Sequence, residues 1–483
     1  MPVVGARVAG GRVAESRVLR RLLGDDALVA FVSDAHIGGD AGHDIFESPG
    51  DLAALFDALG KHPGPVDLVL AGDFFDFLRV AAAPAGATRA SVTVARPEYA
   101  ELFAALRRLA AAPGRTVVYV PGNHDAEAWW NAELQAELRR EGLVHAFALA
   151  YAAAFASDPG QVVYCEHGNQ FDPANRFRDY DDPLDTPLGD HVVTDVTRRL
   201  AAAHVVGGLN LREAERVFPL TRVPEWVAGR LFYATVTQLV RRVLLPLLVA
   251  FVAFQAWAYV RGGGGALDRV VVEIGYDVLT LVTALVLFLF TGPTRAMRYL
   301  ALRFGATEAP GGGSGSPNDV LLGDESPGDG SAVAAIRRGL EAGERPPQLD
   351  AAGRDGARGD GRAGVRPEDI AVFVSGHTHA PSLTAFRRPG GGDGVIVNTG
   401  CFLRQLRPVP TRLGAPPVFA WRFEQTHVRV SRAAAGLAVE LWEHPRPSPQ
   451  ALRLAERLAV AGRLPAEPPP DASPRVRARV TLG

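Results

Sequence analysis

The chain has 483 residues, 47% of them hydrophobic, which is enough for two to three average domains and a sizeable core. Its formal net charge of −2, from 53 acidic and 51 basic residues, offers no basic field for non-specific nucleic-acid binding, so no nucleic-acid partner is expected. Two cysteines, Cys165 and Cys401, are too few for a disulfide framework, and residues 1–24 hold no apolar stretch long enough for a signal peptide, so a cytoplasmic location is expected.

In chain order, residues 1–26 read as an N-terminal extension. The apolar run 28–32 then ends at Asp34-Ala35-His36, and a helical pattern follows over 52–59. The run 66–71 ends at Gly72-Asp73-Phe74-Phe75-Asp76, with a second helical pattern over 99–109. The runs 116–120 and 161–165 end at Gly122-Asn123-His124-Asp125 and His167-Gly168-Asn169. Directly after the latter comes a polar, aromatic segment, 170–180, whose Arg176 and Arg178 are candidate phosphate ligands; surface arginines paired with nearby aspartates are the plainer reading.

The next stretch departs from this pattern. Residues 243–260 and 278–294 are uncharged runs of 18 and 17 residues, separated in part by Arg261-Gly262-Gly263-Gly264-Gly265. As helices they would span roughly 27 and 25 Å, just under a bilayer core of about 30 Å. Arg230, Arg241 and Arg242 precede the first run, and Arg295, Arg298 and Arg303 follow the second. The expectation is a membrane-associated antiparallel hairpin over 226–305 with both ends on the inner face of the cell membrane. A soluble cap or a dimerisation element is the alternative, favoured by Pro246, Gln255, Glu273 and Asp277.

Residues 306–368, dense in Gly, Pro, Ser and Asp, read as a flexible linker with one short helix over 332–342. The run 370–374 ends at Gly376-His377-Thr378-His379. Later runs at 395–397, 418–423, 427–430 and 437–441 have no helical pattern between them and are expected to form a second sheet. The tail 446–483 carries an amphipathic stretch, 451–464, and no assigned function. Val-rich runs alternating with helices predict an α/β architecture whose strands are buried on both faces, with polar side chains gathered at strand ends. Residues 27–225 and 369–445 would be two parts of one interrupted domain.

The residue types at those strand ends suit two-metal chemistry. Two divalent ions roughly 3.5–4 Å apart can clamp both the attacking and the leaving oxygen of a phosphoryl displacement. The ions repel each other, and a shared carboxylate offsets the repulsion; Asp73 is the natural bridge. Asp34 and His36 lie two apart, which in an extended segment sends both side chains to one side, and His377 and His379 repeat the spacing. Since neither cysteine lies in these segments, an all-nitrogen-and-oxygen site is indicated, suited to Mn, Fe or Zn rather than to a thiolate zinc site.

Together, in this order, the five segments resemble the five motifs of the calcineurin-like metallophosphoesterase superfamily, over residues 27–180 and 369–445. The resemblance implies a two-sheet sandwich flanked by helices, here with an inserted hydrophobic helical hairpin. It implies that Asp34, His36, Asp73 and His379 hold one ion and that Asp73, Asn123, His167 and His377 hold the other, with Mn the first choice of metal. His124 would stabilise or protonate the leaving oxygen, oriented by Asp125 or Asp76, while metal-activated hydroxide attacks phosphorus. Asn123, Arg176 and Arg178 would contact substrate. The His-Gly-Asn motif and the motif order are similar to the UDP-diacylglucosamine pyrophosphatase branch, a peripheral membrane enzyme of lipid A synthesis. This chain departs from it at His124, where that branch usually carries Arg. The implied function is hydrolysis of a phosphomonoester, phosphodiester or pyrophosphate on a membrane-linked or nucleotide-linked small molecule. A nuclease, a protein phosphatase and a non-catalytic scaffold are the competing readings.

Overall fold

Short runs rich in Val and Leu can be buried on both faces only if something covers each side of the sheet they form, and two sheets packed face to face supply one cover each. In the computed structural model, Leu28–Val32, Val66–Ala71, Arg115–Val120 and Ala146–Phe147 pair in parallel in one sheet. The second sheet runs Val18–Leu23, Ala150–Phe155, Asp158–Cys165, Ile370–Ser375, Asp393–Asn398, Ser382–Arg387 and Val320–Leu322. The structure describes residues 16–40, 43–80, 83–197, 205–206, 209–219, 222–262, 265–266, 268–278, 280–281, 284, 320–322, 332–350, 365–411 and 415–483.

Period-two alternation sorts the side chains of each strand between two cores. Val29, Phe31, Val69, Ala71, Val118 and Val120 face Tyr151, Val163, Cys165, Val372, Val374 and Val397 between the sheets. Ala30, Val32, Leu68, Leu70, Val117 and Tyr119 face the helices Pro49–Gly60, Ala100–Ala111 and Ala132–Arg140. On the outer side of the second sheet, Tyr164, Ile370, Phe373 and Ile396 are covered by Val333, Ile336 and Leu340 of the helix Ala332–Glu341 and by Leu349. The layers are therefore helix, sheet, sheet, helix. At about 1.5–3 kcal/mol for each fully buried large aliphatic side chain, the inter-sheet core is the main force holding the two parts of the domain together.

Several sequence expectations change. The late strands do not make a sheet of their own. Asp393–Asn398 joins the second sheet beside Ile370–Ser375, while Val418–Ala433 and Gly436–Glu443 extend the first, with Val428 opposite Phe31. The runs 418–423 and 427–430 are one 16-residue strand, because the polar break between them is satisfied. Glu424 takes Arg477 and Arg407, and Gln425 donates to Ser48 and Asp51. The tail is structured too: Arg475–Leu482 pairs with Gly436–Glu443, and Leu454–Ala459 is a helix. Within 1–26, Val18–Leu23 is an edge strand parallel to Ala150–Phe155. The linker's helix forms as expected, but it and Leu349 are docked on the core rather than free.

A continuous 38-residue helix, Val223–Val260, replaces the start of the expected hairpin. Its first half is domain core. Trp226 packs with Val217, Leu406 and Phe419, and Tyr233 and Val236 pack with Val409, Val418, Leu452 and Ala455. Arg230, expected as a membrane flank, is instead paired with Glu213 and Glu456. Beyond Leu244 the helix stands clear, with Leu245, Leu247, Leu248, Val249, Val252, Trp257, Tyr259 and Val260 exposed. After the turn at Arg261 and Gly262, the described part of 265–284 is helical and returns antiparallel, Tyr276 lying 5.8 Å ring to ring from Phe251. Most of the second uncharged run, Arg295, Arg298, Arg303 and the Gly-rich segment 311–317 lie outside the described residues.

Candidate metal centre

Each of the five motifs begins where a strand stops, and backbone hydrogen bonds tie the motifs to one another. Asp34 and His36 N–H donate to the carbonyls of Gly72 and Asp73 at 3.0 and 2.9 Å. His124 N–H donates to Asp73 Oδ1 at 2.8 Å, and Gly376 N–H to the His167 carbonyl at 2.8 Å. The backbone passes so close to the site that a methyl group at Gly122 would run into the Asp73 carboxylate, and one at Gly376 into that of Asp34. Left-handed backbone then aims the side chains. Asp34, His36, Asp73, His377 and His379 have φ of 51, 49, 51, 67 and 54°, and they are the only non-glycine residues with positive φ among the described residues. Each such residue costs about 1–2 kcal/mol, and strain of this kind collects at functional sites. The extended Asp-x-His geometry read from the sequence is therefore replaced by a pair of left-handed residues.

The structure brings together Asp34, His36 and His379 in one group and Asp73, His167 and His377 in another, while Asp76 and His124 form a third cluster that shares His36 with the first. His379 Nε2 lies 3.2 Å from Asp34 Oδ1 and 3.1 Å from His36 Nε2. Asp73 Oδ2 is 3.2 Å from His167 Nε2 and 3.8 Å from His36 Nε2, so this carboxylate stands between the groups. Three of the imidazoles are fixed through one nitrogen: His36 Nδ1 on Asp76 Oδ2 (3.0 Å), His167 Nδ1 on the Ala71 carbonyl (3.0 Å) and His377 Nε2 on Asp172 Oδ2 (3.1 Å). Anchoring one ring nitrogen and leaving the other for an ion is how metal-binding histidines are oriented.

Two atoms test whether ions fit. Asn123 Oδ1 and His167 Nε2 are buried without a hydrogen-bond partner, a costly state that a cation at that point would relieve. The site's charge agrees. Burial works to raise the carboxyls of Asp34 and Asp73, but His379 beside the first and His167 beside the second override it and hold both below the usual carboxylate range. Burial pushes His36 and His377 down, which favours the neutral imidazole that ligation needs. All donors are nitrogen or oxygen, so the residues fit two hard or borderline divalent ions.

Residues 27–225 match the family model of the calcineurin-like phosphoesterases. The chain carries a calcineurin-like phosphoesterase domain. That family consists of metal-dependent phosphoester hydrolases, and the clustered imidazoles and carboxylates of this phosphoesterase domain are suited to the chemistry. Searches of curated proteins and of solved structures return no match.

His124 of the phosphoesterase domain sits at the mouth with His379 and His377, its side chain 14% exposed against 21% and 10% for those two, 3% for His36 and 1% for His167. Burial lowers its basicity, but the Asp76 and Asp73 carboxylates outweigh burial and raise it to about 9. Of its two expected partners the structure selects Asp76, whose Oδ1 meets His124 Nδ1 at 3.0 Å. Asp125 is a correction. It faces away from His124, accepting from the N–H groups of Gly122 (2.6 Å) and Phe74 (2.8 Å) and from the Tyr119 hydroxyl (2.5 Å), and it organises the loop rather than the chemistry. Arg176 and Arg178 are exposed, and neither belongs to the groups of candidate ligands. Tyr180 points inward, donating to Asn169 Oδ1 at 3.0 Å.

The sequence reading missed five contributors. Asp76 also accepts from Arg79 Nε at 2.8 Å, and Arg79 in turn pairs with Glu215. Phe218 stacks on His379 at 5.9 Å, with the Arg407 guanidinium 4.7 Å from the Phe218 ring centre on the way to the mouth. Asp172 anchors His377. Only Asp172 had a local signal, lying within the polar segment after the fourth motif.

Proposed function

We propose that the chain hydrolyses a phosphomonoester, phosphodiester or pyrophosphate of a membrane-linked or nucleotide-linked small molecule, working at the cytoplasmic face of a membrane that holds its hydrophobic hairpin. The observation that carries the hydrolytic reading is the Asp73 carboxylate standing between two groups of imidazole and carboxylate side chains, with the partly exposed His124 beside them. Asp34, His36, Asp73 and His379 would hold one ion, and Asp73, Asn123, His167 and His377 the other, with Mn the first choice. When bound, such ions supply Lewis-acid stabilisation of phosphoryl charge and acidify water. His124 holds a proton on its mouth-facing nitrogen for the leaving oxygen, and Asp76 keeps the ring oriented. Phe218 and Arg407 wall one side of the approach.

The membrane reading is supported by the exposed apolar half of Val223–Val260 and by Arg241 and Arg242 at its base, where positive residues are favoured on the cytoplasmic side. The test of the hydrolytic reading is turnover of bis-p-nitrophenyl phosphate by full-length protein in detergent. Activity should appear with Mn, vanish on chelation and return on adding the metal back. No turnover with Mn, Fe or Zn would overturn the proposal and favour a scaffold.

A further inference from the structure

The tail helix Leu454–Ala459 has a face that no part of the described chain covers. Leu454 and Leu458 lie four residues apart, hence on one side of the helix, and each is 66% exposed. Single exposed leucines are ordinary, but this pair stands on a helix whose other face is fixed. Ala455, Ala459 and the following Val460 are buried with Tyr233 and Val236 of Val223–Val260, and Val240 packs against the same cluster. Glu456 pairs with Arg230 at 3.2 Å, and Arg453 Nη1 donates to the Arg230 carbonyl at 3.1 Å.

That docking sets the leucine pair beside the place where the long helix leaves the domain. No residue of the long helix beyond Val240 belongs to the cluster, and its bare half begins at Leu245, about 8 Å further along at 1.5 Å per residue. Between them the helix widens into a π-helical turn, Val240–Leu244, that carries Arg241 and Arg242. On the tail helix, Arg457 lies between the two leucines in sequence, its Nε donating to the Leu452 carbonyl at 3.1 Å. All three arginines are exposed, and among the described residues none has a carboxylate partner, whereas Arg230 has two.

We infer that the tail helix and these arginines form a second membrane contact at the base of the hairpin, a belt for anionic phospholipid headgroups with Leu454 and Leu458 seated among the upper acyl chains. This rests on the reading of the bare half of Val223–Val260 as membrane-embedded. Continuity with that half and the unpaired positive charge decide the occupant, because leucine faces flanked by arginines partition to anionic lipid interfaces. A second copy of the chain is disfavoured, since a symmetric contact would bring like charges together. Val409 belongs to the cluster beneath the tail helix, and Arg407, two residues earlier on the strand Phe402–Val409, walls the approach to the metal centre. Docking of the belt thus ties the orientation of the mouth to the membrane.

The test places a nitrobenzoxadiazole fluorophore at Leu458→Cys in the full-length protein, moved from detergent into vesicles of phosphatidylcholine alone or mixed in equal parts with phosphatidylglycerol. Cys165 and Cys401 are buried and should stay unlabelled. A hairpin label at Leu248→Cys reports the bare half, and a label at Leu22→Cys, 70% exposed on the edge strand Val18–Leu23, is the aqueous control. The tail label should shift to the blue and be quenched by lipids carrying a spin label high on the acyl chain, by at least about twofold more in the mixed vesicles than in phosphatidylcholine. The control label should stay unquenched. Combining Arg241→Gln, Arg242→Gln and Arg457→Gln should remove the dependence on lipid charge while the hairpin label stays quenched. Quenching of the hairpin label without the tail label would overturn the inference and leave the hairpin in the membrane. A blue shift of the tail label that spin-labelled lipid does not quench would assign the face to a second copy of the chain, and equal quenching in the two kinds of vesicle would remove the anionic partner; either result overturns the inference. If neither the hairpin nor the tail label were quenched, the membrane reading would fall with it.

Discussion

At the scale of single residues, the proposed roles divide into groups that would hold ions and groups that would move protons, and substitution can tell them apart. Asp73 lies within 4 Å of imidazoles from both groups and also accepts the His124 backbone N–H. Asp73→Ala should therefore abolish turnover and reduce bound metal, read by elemental analysis of the purified protein. His124 contacts Asp76 rather than the centre of either group, so His124→Ala should lower kcat by about 10²–10⁴ while both ions stay. Equal loss of metal in the two variants would make His124 a ligand. That these residues converge was legible in the sequence because each follows an apolar run directly, and a strand end is a place where local pattern fixes a side chain's position. Asp172, Arg79 and Glu215 were not assigned roles, since what defines each is a partner remote in sequence. The choice of Asp76 over Asp125 turns on which carboxylate meets His124 Nδ1 in space, which no periodicity reveals.

At the scale of elements, Val223–Val260 joins two environments in one helix. Trp226 in its docked half is fully buried, so Trp226→Ala should cost about 3–5 kcal/mol in chemical denaturation. Leu248, in the bare half, is 46% exposed, and Leu248→Ala should leave domain stability within about 0.5 kcal/mol. If both substitutions were silent, the docked half would not be part of the domain. The bare half predicts partitioning: expressed in cells, the chain should sediment with membranes and require detergent for release. Replacing 240–284 by a short Gly-Ser loop, which leaves Trp226, Tyr233 and Val236 in place, should move it to the supernatant. Identical partitioning of the two proteins would refute the membrane role. Length and lack of charge marked the run 243–260 in the sequence, yet the expected start of the hairpin at 226 falls within the docked half of the helix. Apolar residues that pack on a domain and those that stand exposed look alike in composition, and only tertiary contacts distinguish Tyr233 from Leu248. Polar breaks misled in the opposite direction at Glu424 and Gln425, where distant partners keep a long strand intact.

At the scale of the whole molecule, the first sheet carries a titratable element away from the metal centre. His427, on the strand Val418–Ala433, and His444, just beyond Gly436–Glu443, meet at 3.0 Å through Nδ1 and Nε2, and both are buried. Arg429 donates to His427 Nε2 at 2.9 Å, so that nitrogen accepts and Nδ1 carries the hydrogen given to His444. The arrangement therefore needs both rings neutral. Burial, followed by the neighbouring imidazole and guanidinium, pushes His427 well below its ordinary value; burial, the largest influence on His444, takes it down to about 4. As pH falls below about 6.5 the unfolded chain takes up protons that the native protein refuses, so this pair's contribution to stability is complete above that value and declines until pH reaches about 4. For His444 alone the loss amounts to about 3 kcal/mol. Carboxylates and the metal centre titrate in overlapping ranges, and a difference between two proteins cancels them. His444→Gln keeps an acceptor for the His427 hydrogen but cannot itself be protonated. The stability of wild type relative to this variant, from urea unfolding at matched pH, should therefore fall by up to about 3 kcal/mol between pH 7 and pH 4. A difference that stays constant across that interval would mean that the imidazole pair does not link protons to folding.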